Sequence, residues 1–510
     1  MTHTPHHHMS RTQHPARIAW LVPSLIEGSG GHRTILQNIE ALIDRGHLCT
    51  LYVEHNGATS GPEAEAALAR VRGQLREFFG FEDAPIRLGF TIDEPCDMVV
   101  ATAWYTAHAA AQASAPHKVY FVQDYEAWFM PMGDGYIYAE NSYRLGLTPI
   151  TIGRWLTSRL ASQFGCRGTY FDFCAASDVY GRDEGVTRDR AVCVIVQPEK
   201  PRRCPRTAIE AMGIVKHFMP DVTIHMYGSK DRPAVWYDHQ WHGLLDVRGC
   251  NALYNRCQVG LCISASNPSR IPYEMMAAGL PVVDIHRENN LFDIPEDAAL
   301  LADARPEDLA QAVMDLLRDD ARRGAMSRAG LAFMRERPLE RGFEQFVRAV
   351  EAVLAKREHE FAGVHAHLAP LYGRPAIVAD IHAPRAPQPT PADIRAAERR
   401  VHEAEQKLAA QRELESILDS KAWKAAVRLK ESGVYRAVAS ARFGDGWDHI
   451  DPNEDPRVRL ARVKNSRTYR LISKSKSTGL YRWYVKGNGA GPGHAGGNGH
   501  GRHTHTNGTA

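Results

Sequence analysis

No stretch of the 510-residue chain sustains the roughly 18 consecutive apolar positions that a membrane-crossing helix needs. The first sixteen residues hold His3, His6, His7 and His8 but no hydrophobic segment of a secretory leader. A disordered polar tail over 1–16 and a cytoplasmic location are therefore expected. No C-x-x-C pair occurs among the nine cysteines, and nine is odd, which argues for reduced thiols packed as small hydrophobes. No D-x-D stands in a loop to hold a divalent ion, so no metal site is expected. Pro456–Lys486 contains no Asp or Glu against ten Lys or Arg, whereas the whole chain nets only +3. Such an imbalance asks for an anionic partner.

What is present alternates between α and β patterns. With 44% hydrophobic residues, the length exceeds one ordinary core and divides into two globular domains with appendages. Apolar runs at Ile18–Val22, Leu48–Val53, Met98–Ala101 and Lys118–Val122 predict strands. Between the first two, Ile35, Ile39 and Leu42 recur at helical spacing, and Gly46 follows Arg45 where a left-handed cap fits. A second series runs through Ala191–Val196, a helix from about Arg206, and strands near Val222–Met226, Gln258–Cys262 and Pro281–Asp284. The charged stretch Gly181–Arg190 separates the two series. The expected fold is α/β, with two Rossmann-like domains over 17–185 and 186–357.

Beyond them, 358–392 reads as a linker, because the prolines of His382–Pro391 fix φ and remove amide donors. Residues 393–418 predict a helix or short coiled coil, with Ile394, Val401 and Leu408 seven apart and Ala397, Ala404 and Leu418 beside them. Residues 419–486 carry a repeat at an offset of 46, in which Ser420, Trp423, Lys424, Gly433, Tyr435 and Arg436 correspond to Ser466, Tyr469, Arg470, Gly479, Tyr481 and Arg482. Tyr469, Tyr481, Trp483 and Tyr484 among the basic residues suit an anionic membrane surface, where aromatic rings lodge among headgroups. Nucleic acid, the competing anion, is not the expected partner. The Gly/His-rich stretch 487–510 cannot bury enough apolar surface to fold.

The first strand runs into Gly28-Ser-Gly30-Gly31-His-Arg33 and a helix starts at once, so amides and the positive helix end converge there. An anion or a negatively charged transition state fits that position. The same glycines, with Glu54 ending the second strand, resemble a dinucleotide fingerprint and hence a nicotinamide-dependent oxidoreductase. Arg33 argues against it, because close helix–strand packing wants a third glycine there. In the second domain, Ser264 to Asp284 reads as loop, short helix, Gly279 turn and buried strand. Glu274, at the start of that helix, could accept two hydroxyl hydrogen bonds from a nucleoside sugar, each contributing about 1.5–3 kcal/mol.

The run Glu274-Met-Met-Ala-Ala-Gly-Leu-Pro-Val-Val283 resembles the nucleotide-binding motif of family-4 glycosyltransferases. Gly30-Gly31, with the helix end Leu42…Arg45-Gly46-His47, resembles that family's opening unit, and the likeness covers about 17–350. More narrowly, Gly28–Thr34, Tyr120–Glu126 and Glu199–Arg203 are similar to bacterial rhamnosyltransferases that build surface glycans from dTDP-rhamnose. The resemblance implies a GT-B fold, with acceptor on the first domain, donor on the second, and retention of anomeric configuration. It implies no essential metal and no cofactor beyond the nucleotide sugar, expected to be dTDP-linked. By the same resemblance, Glu274 contacts the pentose and Lys200, Arg202 and Arg203 hold the diphosphate. Gly228 and Ser266 complete the donor-binding set. Two positions depart from the family: Ser266 stands where an acidic residue is common, eight before Glu274, and Gln197 where an arginine is frequent.

Cations and the Gly30-Gly31 amides would neutralise the departing nucleoside diphosphate, which places Gly30, Gly31 and Arg33, with Asp124, at the reaction centre. Removing one such preorganised donor typically costs on the order of 100- to 1000-fold in rate. Gln123, Asp124 and Glu126 follow a strand directly, and the alternate positions of Asp124 and Glu126 let both orient hydroxyls. Gln123, Glu126 and Trp128 form the expected acceptor side, and Trp128, Phe129 and Trp104 offer faces for a pyranose ring. The expected partners are a nucleotide sugar, a glycan or lipid-linked glycan acceptor, and an anionic surface at the inner face of the cell membrane, met through 419–486. Against this stand a catalytically silent GT-B module, for which Ser266 speaks, and the oxidoreductase.

Overall fold

A computed structural model describes residues 11–380, 391–420, 422–424, 427 and 454–476. The chain forms two compact units that divide between Gln388 and Pro389. The histidine tail over 1–10, most of the proline-rich spacer, the second halves of both repeat copies and the stretch 487–510 lie outside the described residues.

The first domain of the first unit alternates strand and helix. Its strands are β1 (Arg17–Val22), β2 (Leu48–Val53), β3 (Ile86–Leu88), β4 (Met98–Ala101), β5 (His117–Val122), β6 (Thr148–Ile152) and β7 (Thr169–Phe171). Its helices are α1 (Gly30–Arg45), α2 (Pro62–Phe79), α3 (Trp104–Gln112), α4 (Asp134–Ser142) and α5 (Arg154–Phe164). All neighbouring strands pair in parallel in the order β3-β2-β1-β4-β5-β6-β7. Both faces of such a sheet are covered, which is why its central strands read as unbroken apolar runs. Gly46 ends α1 with φ +105°, the left-handed cap its sequence predicts, and its N–H reaches the carbonyls of Ile43 and Leu42.

The second domain repeats the plan with β8 (Ala191–Ile195), β9 (Thr223–Tyr227), β10 (Gln240–Trp241), β11 (Val259–Leu261), β12 (Val282–Ile285) and β13 (Ala299–Ala302). Their order is β10-β9-β8-β11-β12-β13, again parallel. The helices are α6 (Pro205–Phe218), α7 (Val247–Arg256), α8 (Ile271–Ala277), α9 (Glu288–Leu291), α10 (Pro306–Arg318), α11 (Asp320–Arg335) and α12 (Leu339–Leu354). In both sheets the strand order reverses beside the first strand, at β1/β4 and at β8/β11. Ligand crevices open at such points, beyond the carboxyl ends of the strands.

Three expectations about boundaries need correction. Residues 11–16, expected in the disordered tail, pack on the first domain, where the Thr12 N–H donates to the Arg45 carbonyl at 2.8 Å and the buried Ala16 accepts the Leu48 N–H at 2.9 Å. By sequence α12 falls in 186–357, yet it packs against α1 and β7 of the first domain. Its Phe346 is fully buried between Trp20, Phe121 and Phe171, with ring centroids 5.2–6.0 Å apart. Residues 358–380, read as linker, are also structured. Ile377 bridges to Ala302 in parallel, and the buried Tyr372 hydroxyl accepts the Leu301 N–H at 3.0 Å. Any spacer therefore begins after 380, and Pro391 already opens a helix.

In the second unit, α13 (Pro391–Asp419), α14 (Pro456–Asn465) and α15 (Arg467–Lys476) surround a small core of Ala410, Leu414, Trp423, Leu460 and Val463. The packed face of α13 is not the heptad stripe, since Ile394 and Leu408 are exposed. Each repeat copy begins with a serine that caps a new helix. Ser420 Oγ accepts the Trp423 N–H at 3.2 Å, and Ser466 Oγ accepts the Tyr469 N–H at 3.1 Å. Tyr469 packs against the same core, so the repeat's first aromatic is a structural anchor here rather than a ring presented to lipid.

Candidate active site

The two sheets of the first unit face one another, and the loops at their carboxyl ends meet in one cleft. Ser29 caps α1 by accepting the His32 N–H at 3.3 Å, and leaves Gly30 and Gly31 exposed at the helix start. A Cβ at Gly30 would meet nothing within 4 Å, and one at Gly31 only ordinary contacts with Gln123 and Ser29 at 3.7 Å. Packing within the chain thus does not demand glycine at either position, as expected of space kept for a ligand.

Opposite this helix end lies Glu274. Burial raises its carboxyl above the usual range, while Arg270, Arg33 and a hydrogen bond with Tyr180 pull it back. Arg33 and Glu274, from different domains, are therefore near enough to interact electrostatically. Arg270 also crosses to the first domain, with Nη1 donating to Gln37 Oε1 at 3.0 Å. Neither Arg270 nor Tyr180 was singled out by sequence, although Arg270 lies four positions before Glu274 inside the same motif.

The cleft floor joins the β5 exit loop to the loops after β8 and β11. Asp124 Oδ2 stands 3.5 Å from Arg202 Nε, and the Arg202 guanidinium covers the Phe129 ring at 4.2 Å. Burial raises the Asp124 carboxyl, with Arg202 and Arg203 acting in the opposite sense. Ser266 Oγ faces this carboxylate without satisfactory hydrogen-bond geometry among the described residues. Next to it, Asn267 Nδ2 donates to the Gln123 carbonyl at 2.9 Å. Lys200 is half-buried on the same loop as Arg202, and desolvation lowers its ammonium. At the rim, Lys230 Nζ meets Glu27 Oε2 at 2.6 Å across the two domains.

Other expected site residues have structural employment. Glu126 turns away from an acceptor: its Oε2 accepts the Trp104 N–H at 2.8 Å, capping α3 where Ala103 has no side chain to do so. Burial pushes its carboxyl up to about 8. Trp128 packs tilted on Trp155 at 5.5 Å, with the Arg159 guanidinium over its ring at 5.0 Å, so it is not an open platform for a sugar. Gly228 has φ +112°, and a Cβ there would lie 2.7 Å from Ile195, which explains the glycine by packing. Gln197, at the place of the frequent arginine, donates to the Gly228 carbonyl at 3.1 Å and so braces that turn. Glu54 is no ribose acid in waiting, because its Oε2 already accepts from the Ser24 N–H, the Ser24 hydroxyl and the Tyr105 hydroxyl. That removes the feature on which the dinucleotide reading leaned. A cavity of about 310 Å³ lies at the opposite, amino end of β1 and β2, away from all of these groups.

Residues 190–314 match the family described as the C-terminal domain of WsaF. An O-antigen biosynthesis protein of Myxococcus xanthus, RfbC, is 26% identical over 321 residues, covering 60% of this chain and 24% of that protein. The chain thus spans about a quarter of the length of the curated relative it matches. Among solved structures, an S. aureus TarM mutant in complex with Fondaparinux, alpha-GlcNAc-glycerol and UDP is similar with a TM-score of 0.50, at 7% identity over 66% of this chain and 99% of that one. A second TarM crystal structure gives 0.52, at 8% identity over 66% and 98%. At such identities the likeness is one of fold. Two facing parallel-sheet Rossmann-like domains, with strand-end loops converging on a shared cleft, give this chain the GT-B fold.

Proposed function

We propose that the chain is a glycosyltransferase of bacterial surface-glycan assembly, moving a sugar from a nucleoside diphosphate to a glycan acceptor. The single observation that carries this reading is the convergence of Arg33 and Glu274, and of Asp124, Arg202, Arg203 and Ser266, from two domains onto one cleft. The similarity to an O-antigen biosynthesis protein supports the glycan context. Glu274 would take the pentose hydroxyls, Arg202, Arg203 and Lys200 the diphosphate, and the α1 amides at Gly30 and Gly31 the charge that develops as the anomeric bond breaks. Rhamnose from a dTDP donor, transfer with retention, and independence of metal complete the proposal, all resting on the sequence resemblance.

The test is release of nucleoside diphosphate from a panel of dTDP- and UDP-sugars, with and without glycan acceptors. No binding and no turnover of any of them would remove the proposal. Tight binding without turnover would favour a silent GT-B module, a reading supported by Ser266 in place of an acid. Attachment to an anionic membrane through 419–486 is a separate part of the proposal, supported by the ten Lys or Arg of Pro456–Lys486. A chain ending after residue 388 should then fail to co-sediment with anionic vesicles that capture the full chain.

A further inference from the structure

Several polar atoms with unfinished hydrogen bonding meet at the cleft floor. Arg202 Nε is 3.5 Å from Asp124 Oδ2, yet makes no hydrogen bond among the described residues. Asn267 is fully buried, and its Oδ1 has no partner among the described residues. Ser266, 1% exposed, lies beside the Asp124 carboxylate, and its hydroxyl meets the geometric criteria of a hydrogen bond with no group among the described residues. Burying polar atoms in this way is costly, and their concentration at one spot marks where a ligand's own polar groups belong. Glu126, two residues from Asp124, is held by the α3 amide, so Asp124 is the carboxylate of this loop that faces the cations.

Resting on the donor-binding reading above, we propose that Asp124 is a sugar-binding residue supplied across the cleft which, before a donor arrives, stands on Arg202 in the place of a phosphate. In this exchange the diphosphate takes the place of Asp124 on the Arg202 guanidinium. Once parted, the Asp124 carboxylate lies beside Ser266 and accepts a hydroxyl hydrogen bond from the sugar being transferred. The second domain's loop offers only a serine hydroxyl at this point, and the first domain supplies the charge. Asn267, bonded to the Gln123 carbonyl, keeps the two loops in register as the exchange occurs.

The proposal has a signature that a merely structural role lacks, because Asp124 opposes the free diphosphate and favours the nucleotide sugar. The full chain, with Asp124→Asn and the double variant Asp124→Asn/Ser266→Asp, would be titrated calorimetrically with dTDP, UDP, dTDP-rhamnose and UDP-glucose. Asp124→Asn should bind the diphosphate about 3- to 10-fold more tightly, as a competing ion pair is lost. The advantage of the matching nucleotide sugar over its diphosphate should shrink about 10-fold or more, and the double variant should recover it. Equal changes for both ligands, or weaker diphosphate binding by Asp124→Asn at an unchanged melting temperature, would overturn the proposal. So would failure of the double variant to recover the sugar's advantage while still binding diphosphate. Should Asp124→Asn fold poorly, Asp124→Ala gives the same comparison. Binding of no nucleotide by the wild type would overturn the donor-binding reading itself, whereas normal wild-type binding that the variants leave unaltered would overturn this inference alone.

Discussion

Arg45 on α1 and Glu351 on α12 form a two-point ion pair, with Nε–Oε1 at 2.7 Å and Nη2–Oε2 at 3.2 Å, across 306 positions of sequence. The pair fastens the last long helix of the first unit to the first domain, over the aromatic cluster of Trp20, Phe121, Phe171 and Phe346. Two strands of chain therefore cross between the domains, one near residue 180 and one near residue 337.

Phe346→Ala should cost about 3–5 kcal/mol, the range for emptying a buried aromatic site. Urea unfolding of the first unit would show it as a lower midpoint at an unchanged slope. A chain ending after residue 388 retains α12 and should keep the wild-type midpoint for that unit. One ending after residue 338 should not fold to the same state.

Gly31→Ala should leave the fold intact or stabilise it by about 0.5–1 kcal/mol, since α1 gains a better helix former and the added methyl has room. Donor turnover should nevertheless fall about 10-fold or more, because the methyl stands between the ligand and the amides. Wild-type turnover in this variant would show that no ligand approaches the start of α1.

Glu274→Gln should weaken nucleotide binding about 10- to 100-fold, the worth of a charge-assisted hydroxyl bond. Melting temperature should hold steady or rise, because burial already disfavours the ionised carboxylate. An unaltered calorimetric titration would free Glu274 from the pentose role.

Glu126→Gln tests a pH dependence. Burial holds this carboxyl near 8, whereas an unfolded chain releases its proton near 4.5. Between those values the folded state binds the additional proton, so wild-type stability from this group declines as pH rises from about 4.5 through about 8. A glutamine can still accept the Trp104 N–H and carries no such slope. The melting temperature of the variant relative to wild type should therefore climb from pH 5 to pH 9. A difference that stays constant with pH would mean that the carboxyl titrates normally.

Ser466→Ala should cost the second unit about 1 kcal/mol by removing the cap that opens α15. Hydrogen exchange in 467–476 should quicken, while protection across the first unit stays as it was.

Much of the fold was legible because parallel strands buried on both faces write continuous apolar runs. Met98–Ala101 and Leu48–Val53 were read with their observed bounds, and Gly46 declared the end of α1. The three-residue β7 leaves too short a pattern to be singled out. Trp128 and Glu126 were read as ligand-facing because sequence reports residue type and order but not which neighbour covers a side chain.

Composition and periodicity alone determined that there are two α/β domains, that a glycine-opened helix follows the first strand, and that a short helix carrying Glu274 precedes a buried strand; Glu274 is the fourth residue of that helix, not its first. These properties are local, set by spacing, propensity and capping within a few turns. Only the tertiary structure decided that Asp124 meets Arg202, that α12 belongs with the first sheet, and that remote carboxylates cap helices whose own cap residue lacks a side chain able to do so. Asp293 does this for α5, accepting the Arg154 and Trp155 amides at 2.8 and 3.1 Å behind Gly153. Such pairings join residues from different elements, in the case of Asp293 and α5 more than a hundred positions apart, and a buried amide or cation takes whichever carboxylate the packing brings within reach.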